Sequence, residues 1–222
     1  MRTFDTILFD LDGTLIDHFE AIHRAHAETM THFGLPAPTL QQVRSVVGGG
    51  LELAVERLFG AEHAALLDRA IPFYRATWPK HLLFGVKILP GAHELLTELH
   101  GRNVTCAVFT NKLGTSAREL CDHLGLTPLL QGVFGALDTP WLKPRREFAD
   151  HVLNALGAKA SATLLIGDST YDVEAAHNGG FPCWCVTTGT HGRDELLAAR
   201  ADRVCADLPA IQRELLSAFS SA

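Results

Sequence analysis

Short apolar runs recur along the chain, separated by segments whose apolar residues repeat every three or four positions. Runs without polar alternation are typical of parallel strands that are covered on both faces. The other segments are typical of amphipathic helices, as in the set Phe148, Val152, Leu153 and Leu156, which Gly157 ends. The repeated strand–helix order predicts an α/β fold with a parallel sheet and helices on both faces. The predicted strands cover residues 6–9, 104–109, 132–136, 163–166, 182–187 and 203–206.

Residues 17–86 interrupt this rhythm, because they carry only helical patterns punctuated by Gly and Pro. Asp17 with Glu20 predicts a capping box at the start of one helix, and Thr39 with Gln42 predicts another. We therefore predict a Rossmann-like, doubly wound core (residues 1–16 and 87–222). An all-helical subdomain, here called the cap (residues 17–86), is inserted between its first two strands.

Composition places the chain among ordinary globular proteins and excludes several partners. Of 222 residues, 47% are hydrophobic and 20% are charged, and the net charge is −6. A negative field repels polyanions, so we expect neither a nucleic-acid nor a membrane partner. The first apolar stretch contains Asp10 and Asp12, unlike a signal peptide, and no apolar run approaches the roughly 18 residues of a membrane span. These features favour a cytoplasmic protein, monomeric or homodimeric.

The five cysteines include no C-x-x-C pair. Cys183 and Cys185 flank Trp184 in a predicted strand, so both thiols would face one side. A soft-metal site or a disulfide is one interpretation of this pair. Reduced thiols in the core are the interpretation we favour.

The first predicted strand ends in Asp10-Leu11-Asp12-Gly13-Thr14. Ligands of open parallel sheets bind beyond the carboxyl ends of the strands, so a site belongs here. Asp10 is placed to attack as a nucleophile, and Asp12 to protonate a leaving group and later deprotonate water. The alternative is an ordinary Asp/Gly turn at a strand end.

The ends of the later predicted strands carry further polar and charged residues that could belong to the same site. Thr110 and Asn111 offer a hydroxyl and an amide suited to phosphate oxygens, and Lys143 precedes a predicted helix. Asp168 and Asp172 add carboxylates, the ligands that Mg²⁺ prefers. Taken singly, these residues have ordinary alternatives: helix caps, a solvated lysine and an acidic first helical turn.

As an ordered set, these motifs resemble those of the haloacid dehalogenase superfamily of phosphohydrolases, and within it the phosphoglycolate phosphatase-like members. The resemblance extends from Phe9 to Gly189. It implies that Asp10 becomes an aspartyl phosphate, that Asp12 is the general acid and base, and that the cap is mobile. It further implies phosphate-holding and charge-balancing roles for Thr110, Asn111 and Lys143.

The same resemblance implies Mg²⁺ as cofactor. Its ligands would be Asp10, Asp168 and the backbone carbonyl of Asp12, with Asp172 supporting the metal shell. An acid must hold its proton when the leaving alkoxide forms, so we expect a raised pKa for Asp12 in the closed state.

The third motif departs from the family pattern, because Lys143-Pro144 is followed by Arg145-Arg146 instead of a second proline nearby. These arginines either reach the substrate or, as we favour, form a solvated helix start.

Specificity is expected to come from the cap, with His18, Arg44, Gly48 and Gly49 as its candidate residues. The backbone amides of the two glycines, together with one arginine, could bind a small carboxylate. The alternative for the glycines is a helix–helix turn that needs positive φ.

These features together predict a Mg²⁺-dependent phosphatase acting on a small phosphorylated metabolite, with 2-phosphoglycolate as the first candidate. A sugar phosphomutase uses the same two aspartates and stays open. A receiver-like phospho-acceptor module also phosphorylates an Asp beside Mg²⁺. However, such modules lack both the second Asp and a helical insert of this size.

Overall fold

The computed structural model describes residues 4–220, in which helices flank one central sheet. Its strands are β1 (Thr6–Phe9), β2 (Ile16–Asp17), β3 (Lys87–Ile88), β4 (Thr105–Leu113), β5 (Gly132–Ala136), β6 (Thr163–Gly167), β7 (Cys183–Val186) and β8 (Arg203–Cys205). Its helices are α1 (Phe19–His32), α2 (Leu40–Arg44), α3 (Leu51–Phe59), α4 (Leu67–Thr77), α5 (Ala92–Gly101), α6 (Gly114–His123), α7 (Arg146–Leu156), α8 (Thr170–Gly179), α9 (Arg193–Ala198) and α10 (Leu208–Ser220). Short 3₁₀ helices cover Ala61–Leu66, Trp78–Lys80, Thr127–Leu129 and Ala160–Ala162.

The six-stranded sheet has the order β5-β4-β1-β6-β7-β8, and all of its strand pairs are parallel. All six predicted strands are present, and the α/β fold class is confirmed. In the centre of the sheet, Thr6 pairs with Thr105 on one side and with Thr163 on the other. The carboxyl ends of β1, β4 and β6 therefore lie side by side.

Side chains of β1 alternate between two hydrophobic layers, as the two-residue period of a strand requires. Ile7 and Phe9 pack in one layer, whereas Leu8 packs in the other with Phe109 and Phe148. All of these side chains are fully buried. Burial of each contributes about 1.5–3 kcal/mol, which fixes the register of β1 and hence the position of the residues that follow it.

Two short strands, β2 and β3, flank the helices of the cap in the sequence. They form an antiparallel pair, in which Ile16 faces Ile88 and Asp17 faces Lys87. Between them lie α1 to α4, and the described chain forms no strand in this interval. Met30, Val55, Phe59 and Ala70 form a hydrophobic cluster inside the insert. The sequence did not predict β2 and β3, because two-residue strands are too short to show a pattern.

The predicted capping box of Asp17 and Glu20 is wrong. Asp17 belongs to β2, so the chain is still extended there, and α1 begins only at Phe19. Glu20 instead pairs with Arg24 at 3.6 Å. The box of Thr39 and Gln42 at the start of α2 is confirmed.

All five cysteines are buried and unpaired by disulfides, in agreement with the interpretation as core thiols. Cys183 and Cys185 do share one side of β7, with their Sγ atoms 3.7 Å apart. Within residues 4–220, no helix combines the length and the apolar character that crossing a bilayer requires.

Candidate active site

The carboxyl ends of the central strands gather the candidate residues in one buried place. Asp10 follows β1 directly, Thr110 and Asn111 lie in the last part of β4, and Asp168 follows β6. Lys143 reaches the same place from the loop before α7. The side chains that the sequence singled out in the core therefore meet at the end of the sheet.

Three carboxylates lie close enough to share one cation. Ligand oxygens of Asp10, Asp168 and Asp172 are all within 4.8 Å of one another, and all three residues are buried. A donor set made only of carboxylate oxygens suits a hard cation such as Mg²⁺ rather than a soft metal.

Lys143 is the cation that the structure places among these carboxylates. Its Nζ donates to Asp10 Oδ1 at 2.7 Å and to Asp172 Oδ1 at 2.6 Å. Burial disfavours its charge, but Asp10 and Asp172 more than compensate and raise the pKa of Lys143. One lysine against three carboxylates leaves negative charge in excess.

This excess charge changes how readily the carboxyls ionise. Burial, together with the neighbouring Asp172, raises the pKa of Asp10 from 3.8 to about 6 although Lys143 opposes the change. Burial and the charges of Asp10 and Asp172 likewise raise the pKa of Asp168. A divalent cation would reverse these shifts by favouring the ionised forms.

Asp172 combines the two roles that the sequence left as alternatives. Its Oδ2 accepts hydrogen bonds from Ser169 N at 3.0 Å and Ser169 Oγ at 2.6 Å, which forms the capping box at the start of α8. Its Oδ1 meanwhile accepts from Lys143. The residue is thus both a helix cap and part of the carboxylate cluster.

Asp168 is held by hydroxyl and amide donors. Its Oδ1 accepts from Thr14 Oγ1 at 3.2 Å, and its Oδ2 accepts from Thr190 N at 2.7 Å and Thr190 Oγ1 at 3.0 Å. Gly13 adopts a φ of +87°, and a Cβ there would lie 2.9 Å from Asp168 Oδ2. Glycine is required at this position for both reasons. Thr190 was not predicted as part of the site.

Lys112 forms an ion pair with Asp12 that the sequence analysis missed. Its Nζ lies 2.8 Å from Asp12 Oδ2 and 3.2 Å from Oδ1, and it stands 4.9 Å from the centre of the Trp78 ring. One signal was available, because residues two apart in a strand face the same side, and Lys112 follows Thr110 by two.

This ion pair overturns the expectation of a raised pKa for Asp12 in the structure described here. Burial alone would raise the pKa of Asp12, but the charge of Lys112 opposes it, and the pKa of Asp12 lies below its usual range. The expectation rested on the need for a protonated acid when the leaving alkoxide forms, and it did not take into account the lysine beside the carboxylate.

His18, a predicted specificity residue, lies between Asp12 and residues of the cap. Its Nδ1 lies 3.4 Å from Asp12 Oδ1, and its Nε2 lies 2.6 Å from the carbonyl oxygen of Leu82. Because a carbonyl only accepts, Nε2 carries the proton. Burial and the charge of Lys112 lower the pKa of His18, so the ring is neutral and presents the Nδ1 lone pair to Asp12.

Asn111 connects two loops through hydrogen bonds to their backbones. Its Nδ2 donates to Gly48 O at 2.9 Å and to Lys143 O at 3.0 Å, and its Oδ1 accepts from Lys143 N at 2.7 Å. These bonds occupy the amide that was expected to hold phosphate. They fix the loop that carries Lys143 and tie it to the cap.

The other cap candidates do not converge on a carboxylate site. Arg44 stacks on Phe19 at 4.1 Å and lies 3.9 Å from Asp17 Oδ1, outside the cavity described below. Gly48 has a φ of +111°, and a Cβ on Gly49 would lie 2.7 Å from Tyr171 Oη. Positive φ and close packing on the core are each sufficient reason for a glycine here, and Gly48 also lines the cavity described below.

The arginines after Pro144 form the solvated helix start that we favoured. Arg145 pairs with Glu147 at 3.0 Å, and Arg146 pairs with Asp150 at 3.3 Å. All four side chains are exposed to solvent.

A cavity of about 290 Å³ lies over the site, between the cap and the carboxyl end of the sheet. Asp10, Asp12 and Thr110 line its floor. Thr110 Oγ1 accepts from Lys112 N at 3.2 Å, so its hydroxyl proton can be donated to a ligand oxygen. The cavity offers an enclosed space next to a nucleophile and a candidate acid or base.

The chain is similar to known proteins along nearly its full length. Residues 7–186 match the family model of haloacid dehalogenase-like hydrolases. A 5′-nucleotidase of Pseudomonas aeruginosa is 31% identical over 214 residues, which is 96% of this chain and 96% of that protein. A phosphoglycolate phosphatase of Yersinia pestis is 30% identical over 213 residues, 92% of each chain. The solved structure of a predicted phosphatase from Clostridium acetobutylicum has a TM-score of 0.87 and 25% identity, covering 97% of this chain and 99% of that one.

Proposed function

The chain belongs to the haloacid dehalogenase-like hydrolases, and from this we propose that it is a phosphatase that hydrolyses a small phosphorylated metabolite through an aspartyl phosphate on Asp10. The observation that carries the proposal is the position of Asp10. Its carboxylate lies at the floor of the cavity, 2.7 Å from the buried Nζ of Lys143 and within a cluster of three carboxylates. No ordinary strand-end turn needs such a set of buried charges.

In the first step, a carboxylate oxygen of Asp10 attacks phosphorus. A bond forms between phosphorus and that oxygen while the bond to the leaving oxygen breaks, and the leaving alkoxide takes a proton from Asp12. Thr110 donates its hydroxyl to the phosphoryl oxygens, and Lys143 offsets their charge and keeps Asp10 oriented.

Asp12 must carry a proton for this step, although Lys112 favours its ionised form. An incoming phosphate dianion reverses that preference, because its charge competes for Lys112 and disfavours a second anion at Asp12.

In the second step, water attacks phosphorus, the bond to Asp10 breaks and inorganic phosphate leaves. Asp12, now ionised, takes the proton from that water. The ion pair with Lys112 favours this ionised form, and it holds the carboxylate toward the cavity at 2.8 Å from the lysine Nζ.

The residues present fit Mg²⁺, because the donor set is all oxygen and carries excess negative charge. We assign Asp10, Asp168 and the backbone carbonyl of Asp12 as ligands, with Asp172 supporting them. When bound, the ion offsets the repulsion between the Asp10 carboxylate and the phosphate dianion.

The relatives direct the choice of substrates. One is a phosphoglycolate phosphatase and another a 5′-nucleotidase, so 2-phosphoglycolate and nucleoside 5′-monophosphates are the first compounds to assay. A sugar phosphomutase would convert its substrate without releasing phosphate, and a phospho-acceptor module would stop at the phosphorylated Asp10.

The test is phosphate release from a panel of phosphomonoesters, with Mg²⁺ and with a chelator. We expect Mg²⁺-dependent turnover that falls at least about a thousandfold in Asp10→Asn, since the nucleophile is lost. Asp150→Asn, an exposed aspartate on α7, is the matched control and should retain full activity. Turnover by Asp10→Asn at the unaltered rate would contradict the proposal.

A further inference from the structure

The walls of the cavity over Asp10 differ in character from its floor, because they consist mainly of aliphatic and aromatic side chains. The wall residues on the cap include Ile22, Leu51, Tyr74 and Trp78, and those on the core include Leu137 and Leu142. Tyr74 and Trp78 stack on each other with their ring centres 5.7 Å apart. Such walls favour an apolar, flat group over a hydroxyl-rich one.

The cations that line this cavity are already paired. Lys112 is bound to Asp12, and Arg75 is bound to Glu52. His26 is neutral, because burial and the charge of His23 lower its pKa to about 3. Among the described residues that line the cavity, none therefore offers an unpaired positive charge to a second anionic group, such as the carboxylate of 2-phosphoglycolate.

One buried polar atom in the wall lacks a partner. His26 is 1% exposed, and its Nδ1 has no hydrogen-bond partner among the described residues. A buried polar nitrogen without a partner is costly, and a ligand with its own donors or acceptors would relieve that cost. The ligand that fits these walls is thus apolar over its faces and polar along its edge.

Leu137 adds a second, independent observation at the mouth of the cavity. It directly follows β5, is 67% exposed, and has a φ of +67°, which is unfavourable for a branched side chain. Strained conformations and exposed large apolar side chains both concentrate at binding sites. Leu137 is therefore placed to cover an apolar part of a ligand.

We propose that the substrate is a nucleoside 5′-monophosphate, with its phosphoryl group at Asp10, its base between the apolar walls, and Leu137 covering it. The base supplies a flat, uncharged ring with a polar edge for His26. The size of the cavity, about 290 Å³, is near the lower end of typical ligand pockets at about 300–1,000 Å³. A glycolate group would leave most of that space empty. This inference rests on the proposed phosphatase function and narrows its substrate.

The first test compares kcat/KM for nucleoside 5′-monophosphates, 2-phosphoglycolate and the generic reporter p-nitrophenyl phosphate, all with Mg²⁺. We expect nucleotides to exceed 2-phosphoglycolate at least tenfold. If 2-phosphoglycolate is hydrolysed as fast or faster, the inference is overturned while the phosphatase function stands. If none of the three is hydrolysed, the phosphatase function itself fails and the inference falls with it.

The second test is Leu137→Asn, because Asn tolerates the left-handed conformation but removes the apolar cover. We expect kcat/KM for the nucleotide to fall about tenfold, mainly through KM, and that for 2-phosphoglycolate to fall less than threefold. Leu197→Asn, an exposed leucine on α9 outside the cavity, is the control and should change neither value. Equal effects of Leu137→Asn on both substrates, or none on either, would overturn the inference.

Discussion

At the scale of single residues, Lys112 is the side chain on which the state of Asp12 depends. Both side chains are nearly buried, with 7% and 10% of their surfaces exposed, and they form an ion pair at 2.8 Å. Removing one partner of such a pair leaves an uncompensated charge, which typically costs about 3–5 kcal/mol. We therefore predict that Lys112→Met lowers the free energy of unfolding by about 3 kcal/mol and kcat at least tenfold, because Asp12 is no longer held toward the cavity.

Urea unfolding and steady-state kinetics measure the two effects. Lys80→Met is the matched control, since Lys80 pairs with Glu28 on an exposed surface and should contribute at most about 1 kcal/mol. If Lys112→Met proves as stable and as active as that control, the ion pair has no role in organising Asp12.

His26 makes the stability of the cap dependent on pH. Its pKa is lowered from 6.5 to about 3 by burial and by His23, so the folded protein binds its proton less readily than the unfolded chain. A lowered pKa contributes stability that is present above about 6.5 and is lost as the pH falls toward about 3. The loss approaches about 1.4 kcal/mol per pH unit for one proton.

We expect His26→Phe to remove this part of the acid sensitivity, because its ring is not titratable. Unfolding free energies of the two proteins between pH 4 and pH 7 should diverge in favour of the variant as the pH falls. The exposed His93, changed to Gln, should leave the pH dependence as it is. A constant difference between unaltered protein and His26→Phe at all pH values would disprove the assignment.

Residues that follow strands were predicted from sequence, whereas residues whose role depends on a distant partner were missed. Asp10 and Asp168 directly follow apolar runs, and parallel strands bring their carboxyl ends together. Lys112 lies inside a strand and its partner Asp12 is one hundred positions earlier. Thr190 is in a loop whose own sequence gives no sign that it donates to Asp168.

At the scale of elements, Asn111 connects β4 with the loop before α7 and with the cap segment that contains Gly48. Its three hydrogen bonds to the backbone of Gly48 and Lys143 are largely buried. We predict that Asn111→Ala lowers the free energy of unfolding by about 2–3 kcal/mol, because backbone groups lose their partners without access to water. Activity should fall as well, since the loop that carries Lys143 is no longer fixed.

Asn178→Ala provides the matched control, because Asn178 Nδ2 donates to Pro144 O in the same loop but from an exposed position. It should cost less than about 1 kcal/mol. Thermal or urea unfolding distinguishes the two variants. Equal destabilisation by both would contradict the claim that the buried hydrogen bonds of Asn111 stabilise the fold.

Strands and helices long enough to show a pattern of apolar residues were predictable, and the two-residue strands were not. The strands β1 and β5 have the predicted bounds because their apolar runs are continuous. The ribbon of β2 and β3 was missed, since two residues per strand carry no period. That omission also explains the wrong capping box, because the extended segment at Asp17 delays the start of α1.

At the scale of the whole molecule, the cavity depends on how cap and core meet, and this could not be predicted from local patterns. The sequence suggested that Arg44 and the backbone amides of Gly48 and Gly49 bind a small carboxylate. In the structure, Arg44 stacks on Phe19, and a Cβ on Gly49 would lie 2.7 Å from Tyr171 Oη. Apolar residues distributed over cap helices and core loops line the space instead. None of them stands out in sequence, because each also fits an ordinary hydrophobic core.

The charge of the site links metal binding to the stability of the whole protein. Because the pKa of Asp10 is raised from 3.8 to about 6, its carboxyl contributes stability at low pH that is lost as the pH rises through about 6. The metal-free protein should therefore lose stability over that interval. A bound cation stabilises the fold by about 2.7 kcal/mol at a concentration one hundred times its Kd. For a chain of 222 residues this corresponds to a rise in Tm of roughly 5–10 °C.

We predict that Mg²⁺ raises Tm at pH 7.5 and does so less at pH 5, where protons already neutralise the cluster. Asp168→Asn should lose this response, because one of the three carboxylates is gone. Without Mg²⁺ it should be at least as stable as the unaltered protein, since burial and the charges of Asp10 and Asp172 already disfavour an ionised Asp168. Asp150→Asn should keep the full response. If Mg²⁺ still raises the Tm of Asp168→Asn, the cation binds elsewhere. If the rise in Tm is the same at both pH values, it does not depend on the ionisation of the carboxylate cluster.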